Sequence, residues 1–365
     1  MKEEFLQKLA LNRNIEPQFL KIKADPNPIF IFGAGAHALD VLLYCDNYNI
    51  EVEGFLINIQ AEASSFCEKP VYQIEEAERK YGRFSVILGY ANYPDGVAKL
   101  KADCSVANIY CLGSCAYGNW EVLPAEYVEE HSEEYMNIFH LLADEFSRQC
   151  LISYLNCRIN DCADFMFPHY LGEGFYRNDL LKLQDKETLL DVGTCEGKTI
   201  EEFVEAVQGR YGNIIALEPE EDNYRELCKT IAENGWEKVY AQAVCAFNED
   251  RTVKFSGTGE MGGVVDEADS FIEYPAVRID SLLRELQLET PVSIVKINFP
   301  FSVIEVLEGM TNLIDTEKPK LIIRIGFDEK VMRAVIFKLR EMRGDYKLFF
   351  RYTIGIPQGL TLFAV

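Results

Sequence analysis

Residues 189–199 read Leu189-Leu-Asp-Val-Gly-Thr-Cys-Glu-Gly-Lys-Thr199, and their pattern indicates the fold of the second half of the chain. An apolar run ends near Asp191, a turn with two glycines follows, and a helical pattern begins after the turn. Gly193 and Gly197 permit tight backbone geometry and let a ligand come close to the main chain. The stretch therefore predicts a strand, a glycine turn and a helix, with Asp191 at the end of the strand.

A second apolar run, Ile214-Ile-Ala-Leu-Glu-Pro219, follows about 25 residues further along the chain. Glu218 lies where the neighbouring strand of a parallel sheet would end. A carboxylate at that place accepts hydrogen bonds from both hydroxyls of a ribose. Two carboxylates, a glycine turn and the lack of a phosphate-gripping lysine predict an adenosine ligand without phosphates.

Strands and helices alternate on both sides of these motifs. In the second half, apolar runs predict strands at 189–192, 213–217, 238–244, 292–297 and 321–325, and an antiparallel pair at 345–352 and 359–365. In the first half they predict strands at 28–32, 51–57, 85–89 and 106–112. We predict an α/β protein with three parts: a Rossmann-like N-terminal domain (1–123), a helical connector (124–180) and a doubly wound domain (181–365).

Ordered motifs over residues 185–365 resemble the FkbM-type family of methyltransferases, which depend on S-adenosylmethionine (SAM). The motifs are Asp191-Val-Gly-Thr-Cys-Glu-Gly-Lys-Thr199, Ala216-Leu-Glu-Pro219, Asn223-Tyr224, Val277-Arg-Ile-Asp-Ser281, Lys296-Ile297, Glu305-Val-Leu-Glu-Gly309, Lys318-Pro-Lys-Leu321 and Asp345-Tyr-Lys-Leu-Phe-Phe-Arg351. The resemblance implies a doubly wound seven-stranded sheet with SAM as the cofactor. It also implies O-methyl transfer to a hydroxyl of a sugar or a small natural product.

The resemblance further implies which residues contact SAM. Its methionine end would be surrounded by Asp191, Gly193, Thr194, Glu196 and Gly197. Its ribose would be held by Glu218. Its adenine would lie beside the residues that follow the third strand, Gln242 and Ala243.

The sequence departs from the family at the end of the fourth strand, where the family reads Lys-Ile-Asp-x-Glu-Gly-x-Glu. This chain reads Lys296-Ile-Asn-Phe-Pro-Phe-Ser-Val303, so the Asp, the two Glu and the Gly are replaced by Asn298, Pro300, Val303 and Phe301. Neither an amide nor an aromatic ring takes a proton near neutral pH. Lys296 and Asn298 are the candidate catalytic residues. Two alternatives stay open, methyl transfer by positioning of the nucleophile alone and a catalytically degenerate protein.

The first half contains a glycine motif of its own. Gly33-Ala-Gly-Ala-His-Ala38 fits the pattern G-x-G-x-x-A directly after an apolar strand. The segment resembles the small Rossmann-like domains that precede some sugar-modifying transferases. Gly33, Gly35 and His37 are therefore candidate residues for binding a nucleotide or nucleotide sugar, with a helix N-terminus facing its phosphate. In the alternative interpretation, the glycines only let the helix and the strand pack closely.

Composition restricts the class of partner. The chain has 365 residues with 36 basic and 59 acidic side chains, a net charge of -23, which disfavours nucleic acids and anionic membranes as partners. No apolar run approaches the ~20 residues that span a bilayer.

Eleven scattered cysteines indicate reduced thiols and a cytoplasmic protein. No pair of cysteines or histidines has zinc-ligand spacing, so we predict no metal site. We expect a small-molecule acceptor as the partner, and a homodimer is compatible with the sequence.

Overall fold

A computed structural model of the chain describes residues 2–10, 17–58, 64–101, 103, 105–114, 122–176, 179–256, 263–265, 272–299 and 302–365. Pro300 and Phe301, two of the residues that depart from the family pattern, lie outside these ranges. The chain forms two compact units. The first comprises Met1–His140, Glu145–Gly172 and Ile354–Leu360, and the second comprises Leu141–Asp144, Glu173–Thr353 and Thr361–Val365. The domain boundaries derived from the sequence stay predictions.

The first unit is built on a six-stranded sheet. Its strands are β1 Ile29–Phe32, β2 Gly54–Ile57, β3 Ser65–Phe66, β4 Lys69–Gln73, β5 Phe84–Leu88 and β6 Val106–Tyr110. Its helices are α1 Lys2–Gln7, α2 Gln18–Lys23, α3 Ala36–Asn47, α4 Ile74–Tyr81, α5 Tyr93–Leu100, α6 Ala125–Glu130, α7 Ser132–Leu141 and α8 Glu145–Asn160, with 3-10 helices at Ala163–His169 and Pro357–Gly359. Among the helices that the structure describes, none is both long and apolar enough to cross a membrane.

Strand β1 lies inside this sheet and pairs in parallel with β2 on one side and β5 on the other. The full strand order is β3-β4-β2-β1-β5-β6. All four residues of β1 are buried because helices cover both faces of the sheet. Phe30 packs with Phe84 on one face, whereas Ile31 packs with Val41 of α3 on the other. The Rossmann-like fold predicted for this part of the chain is confirmed.

The second unit contains the remaining strands, β7 Glu187–Val192, β8 Tyr211–Leu217, β9 Val239–Gln242, β10 Cys245–Phe247, β11 Arg251–Ser256, β12 Gly263–Val265, β13 Ile272–Arg278, β14 Ile294–Ile297, β15 Lys320–Arg324, β16 Leu348–Tyr352 and β17 Leu360–Ala364. Its helices are α9 Lys198–Ala206, α10 Glu221–Asn234, α11 Ile279–Leu286, α12 Val303–Gly309, α13 Thr311–Glu317 and α14 Glu329–Met342.

Seven of these strands form one sheet in the order β16-β17-β15-β14-β7-β8-β9. From β15 to β9 each neighbouring pair is parallel. Strand β17 runs antiparallel to β15, and Lys347 and Val365 exchange backbone hydrogen bonds of 2.9 and 3.0 Å beside β16. The predicted doubly wound, seven-stranded sheet with a closing antiparallel pair is confirmed.

Between β9 and β14 the chain forms a second, four-stranded sheet in the order β10-β13-β11-β12. The apolar runs of the sequence predict no strand in this region beyond residue 244. Strand β13 explains why, because most of its residues are exposed or half-buried, including Ile272, which is 47% exposed. A strand with so little buried surface lacks the apolar run on which the strand predictions were based.

A buried carboxylate joins the amino ends of three strands of the seven-stranded sheet. Glu187, the first residue of β7, accepts hydrogen bonds from Lys320 Nζ at 2.7 Å and from the Ser293 hydroxyl. The backbone N–H of Gln184 donates to the same carboxylate at 2.9 Å. Burial by itself raises the pKa of Glu187, but Lys320 and the two other donors outweigh it and hold the pKa below its ordinary value.

Glu187→Gln is expected to lower the free energy of unfolding by about 2 kcal/mol at neutral pH, because a charge-assisted pair is lost. A carboxyl group whose folded pKa is depressed stabilises the fold above its unfolded pKa of about 4.5, and that stabilisation disappears as the pH falls through the folded pKa. The difference between wild type and variant should therefore shrink below about pH 4.5.

Urea denaturation from pH 7 to pH 3 measures this effect. Glu289→Gln is the control, because Glu289 is 83% exposed and its contact with Lys238 is 3.5 Å long. Its effect should stay below about 0.5 kcal/mol at every pH. A Glu187→Gln effect that is equally large at pH 3 and pH 7 would contradict the lowered pKa of the Glu187 carboxyl group in the folded protein.

Candidate functional site

The glycine turn lies between the carboxyl end of β7 and the start of α9. Gly193, Cys195 and Gly197 have φ angles of 74°, 51° and 95°. These values lie in the left-handed region, which is readily adopted only by glycine. The N–H groups of Gly193 and Thr194 both donate to the carbonyl of Leu217, at 3.0 and 3.3 Å. The turn is thereby fixed against the end of the neighbouring strand β8.

Side chains from two other elements pack against the glycines. A Cβ atom added at Gly193 would lie 3.0 Å from Cδ1 of Phe299, the second residue after β14. A Cβ atom at Gly197 would lie 3.1 Å from Cδ1 of Leu227 in α10. Glycine is favoured at both positions by the left-handed φ angle, and the space for a side chain is tight at each.

Glu218 connects the end of β8 to the turn. Its Oε2 accepts a hydrogen bond from the N–H of Cys195 at 2.8 Å, and its Oε1 accepts one from the N–H of Glu220 at 3.1 Å. The residue is only 4% exposed, and burial raises the pKa of its carboxyl group although the backbone donors oppose that shift. Each carboxylate oxygen has lone pairs for a further donor, so this group can also accept hydrogen bonds from hydroxyls.

Asp191 and Lys296 form a buried ion pair beneath the turn. They are register partners on the adjacent strands β7 and β14, Nζ lies 2.7 Å from Oδ1, and both side chains are 0% exposed. The Thr199 hydroxyl donates to Asp191 Oδ2 at 2.6 Å. Lys296 Nζ also donates to Thr199 Oγ1 at 3.1 Å and to the Gly193 carbonyl at 3.3 Å.

The other candidate residues lie along the same edge of the sheet. Asn298 follows β14, its N–H donates to the Val192 carbonyl at 3.2 Å, and its Oδ1 accepts from Arg324 Nη1 at 3.3 Å. Gln242 ends β9, and its carbonyl accepts from the N–H of Glu218 at 3.1 Å. The Thr194 hydroxyl donates to the Asp191 carbonyl at 3.0 Å.

Two of the candidates, Glu196 and Ala243, are exposed to solvent. Glu196 forms an exposed ion pair with Lys198 at 3.4 Å, and Ala243 directly follows Gln242 at the end of β9. The assignment of these residues to parts of a cofactor, and of Lys296 and Asn298 to catalysis, stays a prediction. The structure brings the carboxyl ends of β7, β8, β9 and β14 to one edge of the sheet.

In the glycine motif of the first unit, one of the two glycines is closely packed against a neighbouring strand end. Gly33 has a φ angle of 122°, and a Cβ atom there would lie 2.6 Å from the carbonyl oxygen of Gly89. Gly35 precedes α3 and has open space where a Cβ atom would be. His37 Nε2 and the Tyr93 hydroxyl share a hydrogen bond of 2.9 Å. Close packing explains Gly33, and the nucleotide-binding assignment of Gly33, Gly35 and His37 stays a prediction.

Two contributors to the site, Thr199 and the N–H of Cys195, were not predicted from the sequence. Thr199 is the second residue of α9, and its position in the first turn of the helix was the available signal. The contact from the N–H of Cys195 depends on a left-handed φ angle at a non-glycine residue, and no sequence pattern announces that.

A solved structure of comparable size is similar to this chain. The methyltransferase FkbM from Methylobacillus flagellatus KT has a TM-score of 0.68 at 15% sequence identity, over 100% of this chain and 98% of that one. The chain has the fold of this methyltransferase. The resemblance predicted from the sequence is thus confirmed at the level of the fold.

Two further solved structures match only half of this chain, and their similarity to it is weak. A fibrillarin/Nop5p complex has a TM-score of 0.34 at 18% identity, over 50% of this chain and 74% of that one. An rRNA methylase from Streptococcus thermophilus has a TM-score of 0.31 at 13% identity, over 50% of this chain and 87% of that one. No protein-family model and no curated protein matches the sequence.

Gly193→Ala is expected to destabilise the protein more than Gly209→Ala. Both glycines have nearly the same φ angle, 74° and 73°, so each alanine should cost about 1–2 kcal/mol for its left-handed conformation. At Gly193 the methyl group must also displace Phe299, which adds about 1 kcal/mol, whereas nothing lies within 4 Å at Gly209. Urea denaturation of both variants measures the difference. Equal destabilisation would contradict the contact between Gly193 and Phe299.

Proposed function

We propose that this protein is a SAM-dependent O-methyltransferase that acts on a hydroxyl of a sugar or small natural product. The observation that carries the proposal is the placement of Glu218. Its carboxylate is held at the end of β8 by the N–H of Cys195, a residue of the glycine turn, at 2.8 Å. In a doubly wound sheet, this crevice beside the carboxyl ends of the central strands is where ligands bind.

The residues of the crevice fit a nucleoside better than a nucleotide. Glu218 supplies acceptor oxygens for ribose hydroxyls and would repel a phosphate. The ammonium group of Lys296 is 0% exposed and already bound to Asp191, so it does not reach a phosphate. The crevice therefore matches SAM, whose adenosine carries a sulfonium-linked methionine in place of phosphates. When bound, SAM supplies the electrophilic methyl group.

The acceptor hydroxyl would lie near Asn298, at the end of β14. An amide forms hydrogen bonds with a hydroxyl but does not take its proton. We infer that this chain orients the acceptor hydroxyl, and that the hydroxyl proton passes to solvent water as the methyl group is transferred. Positioning alone lowers a barrier by several kcal/mol. In the alternative reading, a catalytically degenerate protein, SAM binds and no methyl group is transferred.

The cofactor assignment is tested by calorimetric titration with SAM and with S-adenosylhomocysteine, after removal of any ligand that co-purifies. Wild type should bind both ligands with micromolar affinity. Gly193→Arg should abolish binding, because its side chain would enter the crevice at a position where even a Cβ atom meets Phe299 at 3.0 Å. The matched control is Gly209→Arg, which has a similar φ angle of 73° and lies after the far end of α9.

Equal binding by Gly193→Arg and wild type would place the ligand elsewhere and contradict the proposal. The absence of binding to wild type would do the same. A nucleotide or nucleotide sugar that binds wild type but not Gly35→Arg would instead support the alternative site at the first glycine motif.

A further inference from the structure

We propose that Lys296 is a positioning residue that holds the glycine turn in its ligand-receiving shape and does not contact the acceptor. This inference rests on the proposed function and assigns a different role to one of its candidate catalytic residues. The three protons of the Lys296 ammonium group are directed at three acceptors of the protein itself. These acceptors belong to β7, to the glycine turn and to α9.

The hydrogen bonds around Lys296 form a closed set. Nζ donates to Asp191 Oδ1 at 2.7 Å, to Thr199 Oγ1 at 3.1 Å and to the Gly193 carbonyl at 3.3 Å. The Thr199 hydroxyl accepts a hydrogen bond from Lys296 and donates one to Asp191 Oδ2 at 2.6 Å. A lysine ammonium group has three donors and no acceptor, so these contacts use its whole capacity.

Burial separates Lys296 from any acceptor molecule. Its side chain and that of Asp191 are both 0% exposed. The ring of Phe175, itself 4% exposed, has its centroid 5.7 Å from Nζ. A group that touches neither solvent nor the crevice takes no proton from a bound hydroxyl directly. Lys296 therefore affects the ligand site only through the residues whose positions it fixes.

Within the glycine turn, Lys296 contacts Gly193. The φ angle of Gly193, 74°, turns the chain sharply after β7, and the contact from Lys296 fixes the direction of its carbonyl group. Because a peptide bond is planar, the N–H of Thr194 is fixed with it, and that N–H donates to Leu217 at 3.3 Å. The hydrogen bonds of Thr199 with Lys296 and Asp191 fix the first turn of α9 in the same way. The network therefore sets the shape of the turn from both ends.

Thr199 offers a matched pair of variants that leaves both buried charges in place. Thr199→Val preserves the shape of the side chain and removes the hydroxyl, whereas Thr199→Ser retains the hydroxyl. The first readout is amide hydrogen exchange of peptides covering residues 193–197 in the ligand-free protein. The second is the Kd for S-adenosylhomocysteine, measured calorimetrically well below the unfolding temperature of each variant.

We expect Thr199→Val to increase exchange in the turn and to weaken binding, each about tenfold, which corresponds to about 1.4 kcal/mol. Thr199→Ser should stay within about twofold of wild type in both readouts. Exchange in the distant strands β16 and β17 should not change. Thr199→Val with wild-type exchange and wild-type affinity would overturn the proposal.

A second variant separates positioning from catalysis. Lys296→Met alone leaves a buried, unpaired carboxylate, which destabilises a fold strongly, so the double variant Asp191→Asn/Lys296→Met is used because it removes both charges. Positioning predicts faster exchange in the ligand-free turn, a readout that does not depend on whether Asp191 contacts the ligand. A catalytic Lys296 predicts wild-type exchange in the ligand-free turn with loss of methyl transfer, which would overturn the proposal.

The exchange experiment also separates this inference from the proposed function. If wild type does not bind S-adenosylhomocysteine, the proposed function fails. Exchange in the ligand-free turn still decides whether Lys296 and Thr199 hold it. If wild type binds the ligand and Thr199→Val exchanges and binds as wild type does, only the positioning role fails.

Discussion

The ion pair between Lys296 and Asp191 is the contact on which the centre of the second unit depends. It joins β14 to β7 at the register pair next to the glycine turn, with both side chains fully buried. A buried charge is tolerated only when its partner and its remaining hydrogen bonds are present. The Thr199 hydroxyl and the Gly193 carbonyl supply the remaining hydrogen bonds of the ion pair. The turn and the start of α9 are therefore held next to the buried charges. At the amino end of β7, Glu187 makes a comparable junction with Ser293, which precedes β14, and with Lys320 of β15.

The candidate site follows from the strand order. Because β7, β8, β9 and β14 are parallel, their carboxyl ends meet at one edge, and the crevice there takes its chemistry from the residues that follow each strand. Glu218 gives it acceptor oxygens, Asn298 gives it a neutral amide, and the ammonium group of Lys296 is withheld by burial. This distribution favours a neutral or cationic ligand with hydroxyl groups over a phosphate. The glycine motif of the first unit differs, because Gly33 is explained by its close approach to Gly89.

The sequence predicted the features that are encoded locally. In β7 and β8 the runs Leu189–Leu190 and Ile214–Leu217 are apolar and fully buried, and two glycines follow β7, so the sequence predicted the strand, the turn and the position of Glu218. The sheet of β10–β13 was missed because most residues of β13 are exposed or half-buried, so the strand lacks a continuous apolar run. The role of Lys296 was also not readable. Its sequence position next to Asn298 resembles that of a catalytic residue, and only the pairing of β14 with β7 shows that its side chain meets Asp191 over a separation of 105 residues.

The most direct test of the central claim, that Glu218 holds a ribose, compares two ligands in two proteins. S-adenosylhomocysteine and its analogue without the two ribose hydroxyls are titrated into wild type and Glu218→Ala. The two ligands are compared within each protein, so an effect of the substitution on the shape of the turn weakens both ligands equally and cancels in the ratio of their affinities. Wild type should prefer the natural ligand about tenfold, and Glu218→Ala should reduce that preference to about twofold. The same preference in both proteins would show that Glu218 does not bind the ribose.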